Sequence, residues 1–418
     1  MVMKVISVEK TECLKGNITI QGSKNTVLPI MAATLLGSGI SVIYNCPMIE
    51  DVFVMCQLLE CLHAEVTLEN HILTIDTRNV QYAALPCSLT NKLRSSVLLL
   101  GPMLARWKKA ELGVPGGCAI GLRPIDIHLQ GFRKMNVDIG VQDDVVTGST
   151  YYLHGGVVQL RFPSVGATEN LIMTAVMANG RTILRGVAKE PEIIELCNYL
   201  TSMGALIEGI GTDTLMIKGT GQLSSCDYCN TYDRIVAGTY LLAAAAIPSD
   251  IRLCGIDDID YMKNIIRVAV DLGVNVIKKD NYLSVHSYGK VRGGSFRTGI
   301  YPDFPTDLLP ILIAVLTKSE VVSRIEETIF ENRLSIIKEL TKLGAIFDVS
   351  DRVVRTRGDC RLFGNMLVAT DLRQGAALVV AGMLSEGKTL VSNTMYIARG
   401  YENIVGDLQK LGANIEYV

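Results

Sequence analysis

The chain has 418 residues, 49% of them hydrophobic and 20% charged, enough for two or three globular domains with large cores. Forty basic residues against forty-two acidic ones leave a net charge of -2, which excludes a general attraction to nucleic acid or to an anionic membrane, so any anion binding has to be local. Eleven cysteines, an odd count in a long chain, fit a reducing compartment better than a disulfide framework. The opening run MVMKVISVEKTECLKG lacks the apolar stretch of a signal peptide, and no apolar segment reaches bilayer length, which predicts a cytoplasmic protein that does not enter a membrane.

In chain order, Ser23-Lys24-Asn25 precede an almost wholly apolar helix, VLPIMAATLL, and the phrase LHAEVTL follows from Leu62. Lys92 and Arg94 precede the next such helix, SVLLLGPMLA, and MNVDIGV follows from Met135. Ser164-Val165-Gly166-Ala167-Thr168 lead into ENLIMTAVMA, with MGALIEG from Met203. Asp233-Arg234 lead into GTYLLAAAAI, with LGVNVIK from Leu272. Thr306-Asp307 lead into LLPILIAVLT, with LGAIFDV from Leu343. Asp371 and Arg373 lead into GAALVVAGML, with LGANIEY from Leu411. One unit therefore recurs at about seventy residues.

Gly204, Gly273, Gly344 and Gly412 stand where a helix commonly ends in a left-handed residue, and the alternation after them reads as a half-buried strand. Helices apolar on all sides predict burial. The architecture that satisfies both is sheets and outer helices wrapped around inner helices, three units in each of two similar domains, with the active site between them. The polar residues gather ahead of the inner helices, where unpaired N–H groups and the helix dipole favour anions and added Lys or Arg makes a phosphate or carboxylate site. Any one of these starts, Ser23 and Thr306 above all, is equally accounted for by capping.

Between the second inner helix and its strand lies PGGCAIGLRP, Pro115 to Pro124. Gly116, Gly117 and Gly121 give backbone freedom around Cys118, and Pro115 and Pro124 fix φ at both ends, so the run reads as a loop able to open and close. Arg123 would stabilise the Cys118 thiolate, fitting a nucleophile or a proton donor of tuned acidity. The pair Cys226 and Cys229 stands alone, without the second ligand pair a zinc site needs, and reads as a loop between domains.

These features resemble the UDP-N-acetylglucosamine enolpyruvyl transferases of bacterial cell-wall synthesis, members of the EPSP synthase superfamily, across essentially all 418 residues. The resemblance rests on GSKN at Gly22, PGGCAIGLRPIDIH at Pro115, SVGAT at Ser164, EPEI at Glu190, FPTD at Phe304, ETIFENR at Glu327, ATDLR at Ala369 and RGYE at Arg399. It implies an inside-out α/β barrel, with residues 23–231 as a domain carrying the Cys118 loop and residues 1–22 with 232–418 as the second. It also implies transfer of the enolpyruvyl group of phosphoenolpyruvate to the 3-hydroxyl of the GlcNAc in UDP-GlcNAc, with release of phosphate and with no metal or organic cofactor.

By the same resemblance, Cys118 supplies the C3 proton and can add to phosphoenolpyruvate, and Asp307 is the base beside the sugar hydroxyl. Lys24, Arg123, Arg399 and Arg373 hold the phosphate and carboxylate of phosphoenolpyruvate, and Asn25 touches both substrates. UDP-GlcNAc is taken by Asn25, Arg94, Arg123, Pro124, Ile125, Asp126, Ser164, Val165, Gly166, Asp307 and Ile329. Arg333, Asp371, Glu190, Asp233 and Arg234 complete the charge of the cleft. The chain departs from some relatives at Phe162-Pro163, where they carry a lysine facing the nucleotide phosphates. Arg161 stands one residue earlier, and on a strand that step turns a side chain to the other face. His128 matches the family and is equally a hydrogen-bonded structural histidine.

Two alternatives remain open on residues alone. An EPSP synthase-like transfer to shikimate 3-phosphate shares the fold and the donor, but that enzyme lacks PGGCAIG. A catalytically weak UDP-GlcNAc-binding sensor also shares the fold, yet would have no reason to combine an acid, a base and a donor clamp. The cysteine loop further predicts that fosfomycin alkylates Cys118.

Overall fold

Helices that are apolar on every side have no face to give to water and must be enclosed. Six helices of this kind organise the structure: Lys24–Ala33, Leu100–Trp107, Val165–Ala175, Arg234–Ala246, Leu309–Leu316 and Leu372–Met383. Every residue of Leu309–Leu316 and of Leu372–Met383 is buried. The computed structural model describes residues 4–116, 121 and 124–418. These residues divide into one unit of 22–116 with 124–231 and another of 4–21 with 121 and 232–418, each with its own hydrophobic core and three of the six inner helices. Among the described residues no helix is long and apolar enough to cross a membrane.

The described residues form six sheets on one plan. The strand after an inner helix pairs in parallel with a strand that leads towards an inner helix and antiparallel with one arm of a hairpin. Thus Arg181–Arg185 runs parallel to Val157–Gln159 and antiparallel to Thr214–Lys218, which pairs in turn with Leu206–Glu208. In the sheet of Lys109–Gly113 the parallel neighbour shrinks to a single bridge, Leu85 to Leu112. In the last sheet the two chain ends replace the hairpin: Ile6–Glu9 lies between Lys388–Ser392 and Ile415–Tyr417. This is the inside-out α/β barrel.

The chain passes between units at residues 21–22 and again at 231–232, and each of these passages exchanges a strand. Leu14–Thr19, which leads towards Lys24–Ala33, pairs in parallel with Pro248–Cys254 in its own unit. Tyr228–Cys229, which leads towards Arg234–Ala246, pairs in parallel with Ile40–Tyr44. The Cys226 to Cys229 run thus ends in a short strand. Gly22 lies beside this turn because the backbone closes tightly there: a Cβ on it would stand 1.8 Å from the Asn45 carbonyl oxygen.

Each repeated phrase begins at the last position of an outer helix. Leu62, Met135, Met203, Leu272, Leu343 and Leu411 are the C-caps, all nearly or fully buried. The next residue has positive φ in every case: His63, Asn136, Gly204, Gly273, Gly344 and Gly412. The residue after that donates back to the last turn, as in Ala205 N to the Leu200 carbonyl at 2.9 Å and Ala413 N to Leu408 at 2.9 Å. Six Schellman motifs therefore stop six helices and launch six strands.

Candidate active site

In the unit of residues 22–231, Ser23 caps the helix Lys24–Ala33, its hydroxyl accepting from Thr26 N at 3.3 Å. Lys24 therefore sits at the first position of that helix, and its Nζ is 2.6 Å from an Asp51 carboxylate oxygen. Asp51 stands in the first turn of the outer helix Glu50–Cys61 and is nearly fully buried. Asn25 is half-buried beside Lys24, and Pro29 supplies no N–H for the Asn25 carbonyl. Arg94 opens the 3-10 turn Arg94–Leu99 and donates to the Pro115 carbonyl at 3.3 Å, which ties it to the entrance of the glycine-rich run. Cys118 and Arg123 lie outside the described residues.

Two further predicted segments meet in the same unit. Pro124 and Ile125 lead into the helix Asp126–Lys134, and Ser164 caps Val165–Ala175 by accepting from Ala167 N at 3.4 Å. Arg161 pairs with Asp126 Oδ2, while Asp126 Oδ1 is buried with no hydrogen-bond partner among the described residues. The strand Val157–Gln159 ends before Arg161, which lies in a bend, so strand alternation does not govern where its side chain points. His128, nearly fully buried, bonds Asn170 Nδ2 at 2.9 Å through its Nδ1. Gly166 lies against the same ring. Glu190 precedes the helix Pro191–Ser202. Burial, with the charges of Glu192 and Glu190, pushes the Glu169 carboxyl well above the ordinary carboxylate range.

In the other unit a continuous polar chain runs through the core. Glu327 is fully buried; its Oε1 accepts from Ile329 N at 2.6 Å and Phe330 N at 3.0 Å, and its Oε2 from the Thr306 hydroxyl at 2.8 Å. Thr306 in turn accepts from Arg333 Nε at 3.4 Å. Its hydroxyl is spent on this chain and makes no cap for the turn Thr306–Leu308, contrary to the capping account. Arg333 Nη2 donates to Asp307 Oδ1 at 2.8 Å, and Arg373 donates to Asp307 Oδ2 through Nε at 3.0 Å. Asp307 is thus held between two guanidiniums that are themselves nearly fully buried.

Asp371 caps Leu372–Met383 by accepting from Arg373 N and Gln374 N, and lies 3.9 Å from Arg333 Nη1. Asp233 likewise caps Arg234–Ala246, and the Arg234 guanidinium lies over the Tyr301 ring. Burial lowers the Arg373 pKa, but the charges of Asp307, Tyr401 and Asp233 outweigh it and the net direction is up. Arg373 Nη1 is buried with no hydrogen-bond partner among the described residues. Such a donor can take an anion's oxygen. Arg399 ends the turn Thr394–Arg399, and Gln21 clasps the segment behind it, donating to the Gly400 carbonyl at 3.1 Å and accepting from Glu402 N at 2.9 Å.

The predicted residues therefore assemble locally. Asp307, Arg333, Arg373 and Asp371 form one network, and Asp126 and His128 join the 124–128 segment to residues 161–166. Sequence reasoning missed Asp51, Gln21, Glu327 and Asn170. Asn170 carried a signal, as a polar residue in the middle of an apolar helix; Asp51 read as an ordinary first-turn acid.

A sequence model of the family described as EPSP synthase (3-phosphoshikimate 1-carboxyvinyltransferase) matches residues 8–408. The chain is 41% identical to UDP-N-acetylglucosamine 1-carboxyvinyltransferase 2 of Clostridium tetani, over 99% of each chain. It is 38% identical to the UDP-N-acetylglucosamine 1-carboxyvinyltransferase of Finegoldia magna, over 100% of this chain and 99% of that one. Among solved structures, the enolpyruvyl transferase NikO from Streptomyces tendae superposes with a TM-score of 0.91 at 24% identity, covering 100% of this chain and 99% of that one. An EPSP synthase from Acinetobacter baumannii superposes with a TM-score of 0.77 at 16% identity, covering 99% and 100%. The structural likenesses establish the fold, and the full-length sequence matches establish the kinship: the chain belongs to the EPSP synthase family and, within it, to the UDP-N-acetylglucosamine 1-carboxyvinyltransferases.

Proposed function

We infer that the protein transfers the enolpyruvyl group of phosphoenolpyruvate to the 3-hydroxyl of the GlcNAc in UDP-GlcNAc, a step of peptidoglycan precursor synthesis. Among the structural observations, the one that carries this reading is the Asp307 carboxylate held between Arg333 and Arg373, beside an Arg373 donor that has no partner among the described residues. A carboxylate so fixed can accept a hydroxyl proton, and the Nη1 edge of Arg373 can take a phosphate or carboxylate oxygen.

In the proposed reaction the sugar oxygen bonds to C2 of phosphoenolpyruvate while C3 receives a proton, giving a tetrahedral phospho-ketal. The C2–O bond to phosphate then breaks as C3 returns a proton, restoring the double bond and releasing phosphate. Cys118 is the proposed C3 proton donor and Asp307 the base. Lys24, Asn25, Arg123, Arg373 and Arg399 hold phosphoenolpyruvate. Asn25, Arg94, residues 123–126, residues 164–166, Asp307 and Ile329 take UDP-GlcNAc. Arg333, Asp371, Glu190, Asp233 and Arg234 support the charge. Residues 23–231 and residues 1–22 with 232–418 are the proposed domains. Closure of the Cys118 run would keep water from the intermediate. The reading further includes a cytoplasmic location, a contribution to cell shape and division through the cell wall, and inactivation by fosfomycin at Cys118.

The test is phosphate release and product mass with UDP-GlcNAc and phosphoenolpyruvate, alongside Cys118→Ser. Formation of UDP-GlcNAc-enolpyruvate by the wild type and not by the variant is expected. Turnover of shikimate 3-phosphate instead, or tight UDP-GlcNAc binding with no phosphate release, overturns the assignment.

A further inference from the structure

Asn170 lies in the middle of the inner helix Val165–Ala175 and is fully buried, yet its amide is fully used. Nδ2 donates to the Val97 carbonyl at 2.9 Å and lies 2.9 Å from His128 Nδ1, while Oδ1 accepts from Gly101 N at 2.8 Å. The two backbone partners decide which end of the amide is which. A carbonyl at Val97 needs the NH2 group and an N–H at Gly101 needs the oxygen, so the amide cannot be turned over. The second hydrogen of Nδ2 then points at His128 Nδ1, which must present a lone pair. His128 is therefore neutral, with its proton on Nε2.

The ring edge carrying Nε2 faces the start of Val165–Ala175: a Cβ on Gly166 would stand 3.3 Å from Cε1 and 3.5 Å from Nε2. The reach of Asn170 depends on a close helix crossing. A Cβ on Gly101 would stand 2.6 Å from the Asn170 carbonyl oxygen and 2.9 Å from its Oδ1.

We propose that Asn170 is a positioning residue for the nucleotide-sugar half of the reaction. It locks His128 in the Nε2–H tautomer and so holds together three segments, Arg94–Leu99, Asp126–Lys134 and Val165–Ala175. These segments carry Arg94, Asp126 and residues 164–166, and the inference rests on the proposed placement of UDP-GlcNAc there. Neither Asn170 nor the ring face it binds needs to touch substrate. The amide acts by holding the imidazole orientation and the spacing of three chain segments at once, as an outer hydrogen-bond partner does for a ligand-bearing side chain.

The first measurement needs no variant. Long-range proton–nitrogen correlation on the wild-type protein, simplified by its five histidines, is expected to show His128 protonated on Nε2 and bare on Nδ1. A proton on Nδ1 overturns the proposal. Asn170→Asp puts an oxygen where the NH2 group stood and is expected to draw the histidine proton to Nδ1. It should raise KM for UDP-GlcNAc about tenfold, the worth of one net buried hydrogen bond. Meanwhile kcat should change less than about threefold, the split that separates substrate placement from chemistry.

Asp126→Ala, run in parallel, tests the underlying placement. An unchanged KM there removes the nucleotide-sugar assignment and leaves the tautomer result standing, whereas a raised KM there with none in Asn170→Asp overturns the positioning role. If Asn170→Asp does not fold, His128→Asn, which keeps an oxygen facing Nδ2, is expected to hold KM nearer the wild type than His128→Ala. Equal effects in those two overturn it.

Discussion

Glu169 is a carboxyl group buried on an inner helix with two acidic neighbours, Glu190 and Glu192, raising its pKa alongside desolvation. A raised folded pKa means that the folded state holds a proton the unfolded state has released. Its stability is therefore full below the ordinary value of 4.5 and declines as pH rises through the window above it. Glu169→Gln, neutral at every pH, is expected to melt above the wild type near about pH 7.5, with the gap closing by about pH 4. Parallel melting curves across that range check it; a variant less stable at neutral pH would mean that the charged form is used.

The thiols divide in the same way. Burial, with a smaller push from Glu60 at Cys56, raises Cys56 and Cys197 to about 12, so they stay protonated and inert, while Cys13, Cys87 and Cys229 are exposed. Fosfomycin is expected to add one equivalent at Cys118 and none at Cys56 or Cys197. Peptide mapping by mass spectrometry after inactivation decides it, and an unmodified Cys118 in inhibited protein defeats the assignment. At this scale the sequence was legible where chemistry is local, as in the caps Ser23, Asp233 and Asp371. It was misleading at Thr306, whose hydroxyl goes to Glu327, 21 residues away, rather than to its own helix.

Across the elements, four of the six Schellman positions are glycine and two are not. His63 (φ 63°) and Asn136 (φ 66°) hold the left-handed conformation at a cost that glycine avoids. His63 is exposed, so His63→Gly is expected to raise stability by about 1 kcal/mol. Gly204→Ala is expected to lower it by about the same amount. No atom lies within 4 Å of where a Cβ on Gly204 would go, so the second loss would be conformational and not steric. Urea unfolding of both variants reads the pair, and changes of the same sign would refute the account. Glycine made four of these helix ends readable in the sequence; spacing alone pointed to the other two.

At the scale of the whole molecule, each unit keeps its own core and all its own strands. Tyr228–Cys229 closes the sheet of Ile40–Tyr44 within residues 22–231, and Ser23 N meets the Thr231 carbonyl at 2.7 Å, so the ends of that segment are already together. Residues 22–231 made as a separate chain are expected to unfold in one cooperative transition with native-like helical circular dichroism. A non-cooperative or aggregating product would show that the second unit is needed for folding.

The sequence by itself determined the repeat, the six enclosed helices and the chemistry expected at their starts. Those features are written in local currency: hydrophobic period, cap residues and the glycine that ends a helix. Only the tertiary structure decided the partners. Asp51 reaches Lys24 from the next helix, Glu327 reaches Asp307 through Thr306 and Arg333, and Asn170 fixes a histidine 42 residues before it. Each is a buried polar group whose partner is chosen by which helices cross and how closely. No period or spacing in one chain records that, because the cost of leaving such a group unpaired is incurred only once the core has closed around it.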